Sequence, residues 1–177
     1  GYDRRKDQVM FLPRQEGSIT IGSPTNMDLN ETYASLSYDY KVASWWGGNI
    51  YGRGFRMDAD AMINGENIVD FGYSYHIGLS GNFKLPHQFS VTANYNYYAP
   101  AKYAASSSES LNFARIALQK TFLERRLTMT LATEDVFRGQ IYRNDFQAGN
   151  LYKRSSLYYD SQRVSLGVVF NFGKTSV

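Results

Sequence analysis

The sequence predicts an all-β protein, specifically an antiparallel up-and-down transmembrane β-barrel, and three observations lead to this prediction. Apolar and polar residues alternate over an unusually long segment, the same alternation recurs along the chain, and the connections between the segments alternate between short and long. A strand turns successive side chains to opposite faces, so each alternating segment describes a strand between two different environments.

The longest alternating segment runs from Val69 to Leu85. Its odd positions are apolar apart from Gly81, and its even positions are polar or glycine. Strands of soluble proteins typically have about five or six residues, whereas a tilted membrane strand needs roughly 9 to 11 residues in hydrocarbon. Transmembrane barrels turn apolar side chains outward and polar side chains inward. This segment is therefore predicted to cross a membrane.

The same period predicts further strands, for about seven complete strands in all, although glycines leave the phase of the strand at 46–55 ambiguous. The further strands are predicted at residues 34–42, 46–55, 89–97, 111–122, 127–134 and 163–172. The apolar side is predicted to face lipid through Phe71, Tyr73, Ile77, Leu79, Val91, Ile116, Leu118, Leu166, Val168 and Phe170. The polar side is predicted to face an enclosed lumen through Ser74, His76, Asn94, Asn96, Arg115 and Gln119.

The first segment, Gly1 to Leu12, carries charge on both faces. An Arg or Lys on the lipid face near the middle of a membrane costs about 2 to 4 kcal/mol. We therefore interpret this segment as the outer end of a partial strand whose membrane-crossing half is missing. Bacterial single-chain barrels have even strand numbers, so residues 1–177 are predicted to be the C-terminal segment of a larger barrel domain.

Connections near Ser44, Pro86 and Arg125 are short, whereas residues 13–30, 59–67, 99–109 and 138–156 are predicted to be long polar loops. Outer-membrane barrels have short periplasmic turns and longer extracellular loops. The pattern predicts the outer membrane of a Gram-negative bacterium, with the C-terminus on the periplasmic side.

Composition excludes several other classes. The 177 residues include no cysteine, which removes disulfides, thiolate zinc sites and cysteine nucleophiles. The net charge of +3 is small and the basic residues are scattered, so no nucleic-acid partner is expected. Mean hydropathy is −0.43, and no apolar run approaches the roughly 18 residues of a transmembrane helix.

Two motifs carry a family resemblance. Residues 118–137 read LQKTFLERRLTMTLATEDVF, and residues 165–174 end the chain's last strand as SLGVVFNFGK. Together with the pair Trp45 and Trp46, these segments resemble the large outer-membrane barrel family of Bacteroidetes related to TonB-dependent receptors. The resemblance covers residues 30–174. It implies a barrel of about 22 strands, a plug domain, energy from TonB through a missing N-terminal region, and nutrient uptake, and it allows for a surface lipoprotein partner.

Three residue groups could carry chemistry. Asp70, Ser74 and His76 share a face, as a hydrolase would require, but a polar lumen face produces such spacing without catalysis, so we expect no enzyme. The oxygen-bearing side chains between positions 58 and 66 fail the spacing of a calcium loop, and we expect no metal and no cofactor. A basic and aromatic cluster in the last long loop is predicted to contact an anionic or sugar ligand through Arg138, Tyr142, Arg143 and Arg154.

Two alternatives remain open from the sequence. A complete eight-stranded barrel with a structural or adhesive role would be too narrow for a channel. A soluble β-barrel carrier would have the same alternation with the opposite sense, its apolar face lining a ligand cavity.

Overall fold

The structure, a computed structural model, describes residues 1–16, 19–63, 66–124, 126–148 and 151–172. Most of these residues form an antiparallel sheet of eight strands, called the main sheet, in the order β1-β2-β3-β4-β5-β8-β9-β12. The predicted all-β antiparallel fold is confirmed. The strands of the main sheet are β1 (Tyr2–Glu16), β2 (Ile19–Ala43), β3 (Trp46–Ile63), β4 (Glu66–Leu85), β5 (Phe89–Tyr98), β8 (Leu111–Phe122), β9 (Leu127–Glu134) and β12 (Arg163–Phe170).

The register of the main sheet gives it two chemically different faces. Residues paired across neighbouring strands point to the same side of a sheet. One such row is polar on all seven strands from β2 to β12. This polar row consists of Asp39, Asn49, Ser80, Asn94, Arg115, Glu134 and Arg163. A row on the opposite side consists of Ala43, Trp46, Phe83, Val91, Leu118, Leu131 and Leu166. We call the two sides the polar face and the apolar face.

The short turns lie where the sequence predicts them. Ala43 pairs with Trp46 around the first turn, and Pro86–Gln88 form a single 3-10 turn between β4 and β5. In the third turn Arg126 N donates to Leu123 O at 3.0 Å, while Arg125 lies outside the described residues. Lys120, on the apolar face, reaches this end of the sheet, where its ammonium donates to His87 O and lies 4.0 Å from the Phe89 ring centroid.

Two of the predicted long loops are wrong, because most of their residues continue the strands. Residues 13–16 and 19–30 belong to the β1–β2 hairpin, and residues 59–63 and 66–67 belong to the β3–β4 hairpin. The described residues of the segment whose spacing was compared with a calcium loop are part of these strands. Asp58 and Asp60 lie in β3, Asp58 accepts from Arg56, and Asn64 lies outside the described residues. No group of three or more His, Cys, Asp or Glu suited to a metal occurs in the described part of the chain.

The other two predicted loops, 99–109 and 138–156, are also largely strand and form a second sheet. It contains β6 (Ala101–Tyr103), β7 (Ser106–Ser108), β10 (Ile141–Ala148) and β11 (Leu151–Tyr158), in the order β11-β10-β7-β6. These segments leave the main sheet after β5 and β9, and the chain returns to it at β8 and β12. The loops therefore build a second, ordered layer.

The second sheet packs against the ends of β2, β3 and β4 that extend beyond the last pair of β4 with β5. We call this extension, together with β1, the wing; it comprises residues 2–16, 19–32, 56–63 and 66–74. A core lies between the two layers, with Met27 only 2% exposed. Its buried members are Met27, Leu29, Ala59, Ala61, Ala104 and Phe146, flanked by Met57, Ile68, Ala105 and Leu151.

The main sheet ends on β1 and β12 within the described residues, and it does not close on itself there. β1 pairs with residues 19–32 of β2, which is the outer part of that strand. Gly1 continues the pairing by exchanging backbone hydrogen bonds with Tyr33. The strand predicted within residues 1–12 is therefore present, extends to Glu16, and lies entirely in the wing.

Candidate functional site: the polar face of the main sheet

All six residues predicted to face a lumen lie on the polar face, and all ten predicted to face lipid lie on the apolar face. The register establishes this directly, since Asn94 pairs with both Ser80 and Arg115 whereas Val91 pairs with both Phe83 and Leu118. The apolar face is also largely uncovered: Leu166 is 64% exposed. The environment that each face meets stays a prediction.

The polar row is held by balanced charges. Glu134 accepts from Arg163 at 2.7 Å, and its other oxygen lies 3.8 Å from Nε of Arg115. At the other end of the polar row, Asn49 Nδ2 donates to Asp39 Oδ1 at 2.8 Å. The polar row therefore contains two acidic and two basic groups, two amides and one hydroxyl, with three of the charges adjacent on β8, β9 and β12. Such a surface offers many hydrogen bonds without a strong net charge.

Aromatic rings stand next to the polar row, toward the wing. The His76 and Tyr98 rings are stacked, with centroids 4.1 Å apart and planes within 6°. The ring centroid of Tyr51 lies 5.3 Å from that of His76, and the ring centroid of Phe113 lies 6.3 Å from that of Tyr98. The stacked rings on neighbouring strands cover each other's faces, so they offer their edges and polar tips to a solute. We call Tyr51, His76, Tyr98 and Phe113 the ring strip.

A cation and a carboxylate extend the ring strip toward β2. Arg53 lies 4.1 Å above the Tyr33 ring and forms an ion pair with Glu31. The sequence did not reveal Arg53 and Tyr51 as site residues, because the glycines of β3 hid the phase of that strand. The cross-strand pairing of Arg53 with His76 was the missing information, and pairing depends on register that single-strand patterns do not contain.

The three side chains considered for catalysis each have a separate partner. Ser74 is buried and donates to Ala99 O at 3.1 Å, and His76 Nε2 lies 3.2 Å from the Asn96 amide oxygen. Asp70 forms an ion pair with Lys102 at 3.2 Å. A nucleophile, a base and an orienting acid must contact one another in sequence. These residues instead fasten β4 to β5 and to the second sheet.

The predicted ligand cluster of the last loop is spread over the second sheet and its approaches. Arg143 pairs with Glu109 at 3.4 Å, and Arg138 lies 4.9 Å above the Tyr158 ring. Tyr142 makes an edge contact with Tyr159 at 5.7 Å. Arg154 holds Asp145 through two hydrogen bonds of 2.8 and 2.7 Å. Internal carboxylates thus neutralise two of the three arginines.

The ion pair between β10 and β11 perturbs both of its members. The hydrogen bonds and charge of Arg154 hold the pKa of the Asp145 carboxyl below its usual range. The same bonds to Asp145 raise the pKa of the Arg154 guanidinium. Arg154 is solvent-exposed and Asp145 is half-buried, so solvent screens much of their attraction and the pair orients the hairpin more than it stabilises it.

One buried carboxylate organises the connection between the two sheets. Asp135 is only 2% exposed. It accepts from Gly139 N at 2.8 Å, from Ser161 Oγ at 2.6 Å and more weakly from Gln140 N. These bonds tie the segment leaving β9 to the segment entering β12. The sequence presented Asp135 only as part of a family-like motif, and the structure supplies its physical role.

No helix in the described ranges is long and apolar enough to cross a membrane.

A long antiparallel sheet with a polar face, an uncovered apolar face, short turns at one end and a folded layer at the other defines a membrane β-barrel protein of the outer-membrane class. The sequence comparison agrees: residues 1–172 match the model of the outer membrane protein beta-barrel family, and the chain belongs to that family. Comparisons with curated proteins and with solved structures gave no significant match.

Proposed function

We propose that the chain forms part of the wall and the extracellular layer of a transporter resembling the TonB-dependent receptors. In this proposal the apolar face contacts outer-membrane lipid, and the polar face contacts a plug domain or a passing solute. The remainder of the barrel supplies further strands toward about 22, TonB acts through a region outside this sequence, and a surface lipoprotein could sit over the second sheet. The C-terminal end of β12 is on the periplasmic side. The proposal assigns no catalytic reaction to the chain.

The strand count carries the proposal. At the level of the polar row, seven strands lie side by side, from Asp39 on β2 to Arg163 on β12. The residues of β1 and Gly1 pair with β2 only between Ile19 and Tyr33, a span that lies outward of that level. An up-and-down barrel in a single bacterial chain has an even number of strands. Seven membrane-crossing strands therefore favour a wall that continues in further strands.

Strand direction supports the same conclusion. β2 and β12 both run toward the end of the sheet that carries the short turns. If β12 closed the barrel directly onto the free edge of β2, the two strands would be parallel, and membrane barrels of this class are antiparallel throughout. At least one strand has to lie between them.

The chemistry of the polar face supports contact with a hydrated solute or a plug. Its row of charges, amides and a hydroxyl suits a lumen, where polar groups can be solvated or paired. The second sheet, with Arg143, Arg154 and Tyr142, lies on the side where extracellular loops are expected. A solute would meet this sheet before it meets the ring strip.

Cysteine cross-linking tests the strand count, and the absence of native cysteines makes it clean. Tyr2→Cys would be combined in turn with Val164→Cys, Leu166→Cys and Val168→Cys in the intact protein in its membrane. A disulfide needs Cα atoms about 4.4 to 6.8 Å apart. We expect no cross-link from β1 to β12. As a positive control, Thr133→Cys with Val164→Cys should form a disulfide, because these two residues pair directly between β9 and β12. Efficient β1–β12 cross-linking would overturn the larger barrel.

Transport itself is tested in cells. Energised uptake through the intact protein should be lost when TonB is deleted, and it should fall when Asn94 and Arg115 on the polar face are replaced by Trp. Uptake that is independent of TonB would contradict the transporter proposal.

One observation favours a second candidate. The described main sheet contains eight strands, the number of a small complete barrel with a structural or adhesive role. The same cross-linking experiment separates this candidate from the first, because a small barrel requires β12 to pair with β1.

A further inference from the structure

The apolar face carries two arginines where the wing begins. Arg56 lies in the row of Tyr2, Thr32 and Tyr73, and Arg4 pairs with Asn30 in the next row out. Both arginines therefore point to the same side as the apolar face below them. We propose that Arg4 and Arg56 bind the phosphate of a phosphorylated glycolipid of the outer leaflet. This inference depends on the orientation given under the proposed function, with the apolar face toward lipid.

The height of Arg56 above the short turns places it at the outer interface. Ten residues separate it from Trp46 at the turn, which is about 34 Å along a strand at about 3.4 Å per residue. A strand tilt of about 35–45° reduces this to about 25 Å, the height of the apolar band of such barrels. Lipid head groups lie at this level.

The chemistry of the face changes at the same row on β2 and β3. Below it these strands turn Leu36 and Ile50 outward. Above it they turn Asn30, Asp58 and Asp60 outward, and Met62 is an apolar exception near the end of β3. On β4 the apolar residues continue outward through Phe71 and Val69. Because the strands tilt, the boundary of the apolar band crosses the register diagonally. Arg56 therefore stands on the boundary itself.

Both arginines keep guanidinium N–H groups that could donate hydrogen bonds to a phosphate. Arg56 donates to Asp58 from Nε at 3.0 Å and from Nη2 at 2.6 Å, which uses two of the five N–H groups of a guanidinium. Its planar group lies 4.7 Å from the Phe71 ring centroid, which fixes its direction. Arg4 is exposed and makes no ion pair with another residue in the described ranges. Arginine forks suit phosphate oxygens, and two of them favour a phosphate over a neutral head group.

An open trough leads down the apolar face from Arg56. Its floor is Gly52 and Gly54, above which nothing lies within 4 Å of where a Cβ would stand. Leu36 on one side and Tyr75 and Ile77 on the other form its walls. The trough spans two strand spacings, about 10 Å, which is wide enough for a hydrocarbon chain. A lipid whose phosphate is on Arg56 would lay an acyl chain here.

Native mass spectrometry of the intact protein in non-ionic detergent tests the site, with bis-phosphorylated lipid A and the same lipid lacking phosphates as probes. We expect the phosphorylated lipid to bind tighter, and Arg4→Gln with Arg56→Gln to weaken it about tenfold. Arg5→Gln is the matched control, since Arg5 lies on β1 but faces the other way and pairs with Asp3. Asp58→Asn should tighten binding, because it frees the donors of Arg56. Gly54→Val should weaken binding through the trough, whereas Gly167→Val on the polar face should not.

Three outcomes would overturn the site: equal affinity for both lipids, an equal loss from Arg5→Gln, or full displacement of the lipid by inorganic phosphate, which would indicate an anion site without lipid. A separate measurement tests the orientation of the two faces. A nitroxide label on Leu79→Cys should collide more often with dissolved oxygen than with a water-soluble nickel chelate, and a label on Ser80→Cys should show the reverse. If that orientation test fails, the proposed function fails with it; if it succeeds and lipid A shows no preference, the phosphate site alone is wrong.

Discussion

The membrane-crossing part of the main sheet and the wing belong to the same strands yet have opposite arrangements of apolar residues. In the crossing part the polar row lies on one face and apolar side chains such as Leu118 and Leu131 are exposed on the other. In the wing the continuation of the polar face carries Met27 and Ala59, both buried under the second sheet. On β2 and β3 the continuation of the apolar face carries Asn30 and Asp58.

In the proposed orientation, the solvent on each side explains which face of a strand is apolar. A crossing strand then meets lipid outside and water inside, so its apolar side faces outward. A strand beyond the membrane meets water outside and another protein layer inside, so its apolar side faces inward. β3 follows both rules in succession, and its apolar residues change sides near Arg56.

The largest effect is expected from the core of the wing. Phe146→Ala removes a ring that is 7% exposed between the two layers, and such a change costs about 3 to 5 kcal/mol where the site cannot collapse. Amide hydrogen exchange should rise in β10 and β11 and stay unchanged in β8 and β9. Phe170→Ala, on the uncovered apolar face, is the control and should leave the second sheet protected. Equal deprotection of both sheets would show that the two regions are not separate folding units.

A charge on the apolar face should be next in size. Leu118→Arg lies in an apolar row that crosses the sheet, four residues from the short turn, and should destabilise the protein in lipid vesicles by about 2 to 4 kcal/mol. Gln119→Arg, its neighbour on the polar face, should change the free energy of unfolding little. Denaturant titration in vesicles measures both. If the neighbour proved the more damaging of the two, the apolar face would not be the lipid face.

The junction between the two regions is the third target. Asp135→Asn keeps the size of the side chain but turns an amide toward N–H donors, so the bonds from Gly139 and Ser161 weaken at a cost of about 1 to 3 kcal/mol. We expect faster proteolysis within residues 136–162 and no change in the crossing strands. Asp160→Asn, an exposed neighbour, is the matched control. Unchanged cleavage in the Asp135 variant would mean that the buried carboxylate does not hold the second sheet in place.

Much of this architecture could be predicted from the sequence, because a strand with one apolar and one polar face has apolar residues at every second position. Residues 111–122 and 127–134 were predicted as strands with their observed bounds. The two faces of β4 also followed directly from its alternation. The short turns could be predicted because Pro86 and the charged residues around 124–126 interrupt that period.

The wing could not be predicted because the apolar residues of β1 and of the outer parts of β2 and β3 do not alternate regularly with polar ones. On β3, Ala59 and Ala61 fill the core between the two layers without a strong hydrophobic signal, and the neighbouring Asp58 and Asp60 suggest a loop. The second sheet pairs serines at 106–108 with β10, and such pairing depends on residues more than thirty positions away. The ring strip was missed for a related reason: cross-strand register brings His76 to Tyr98, and no single segment records it.

The smallest effect should be a pH dependence confined to the second sheet. The folded pKa of Asp145 is held low by Arg154, so the pair contributes stability that is present above the ordinary carboxyl pKa of about 3.9 and is lost as pH falls through the lowered value. Below about pH 4, amide exchange in β11, corrected for its intrinsic rate, should increase relative to β9, and Asp145→Asn should remove that difference. The neutral variant should behave at pH 7 as the wild type does in acid. If acid instead loosened β9 and β11 together, or if Asp145→Asn left the difference in place, the pair of Asp145 with Arg154 would not be the source of the pH dependence.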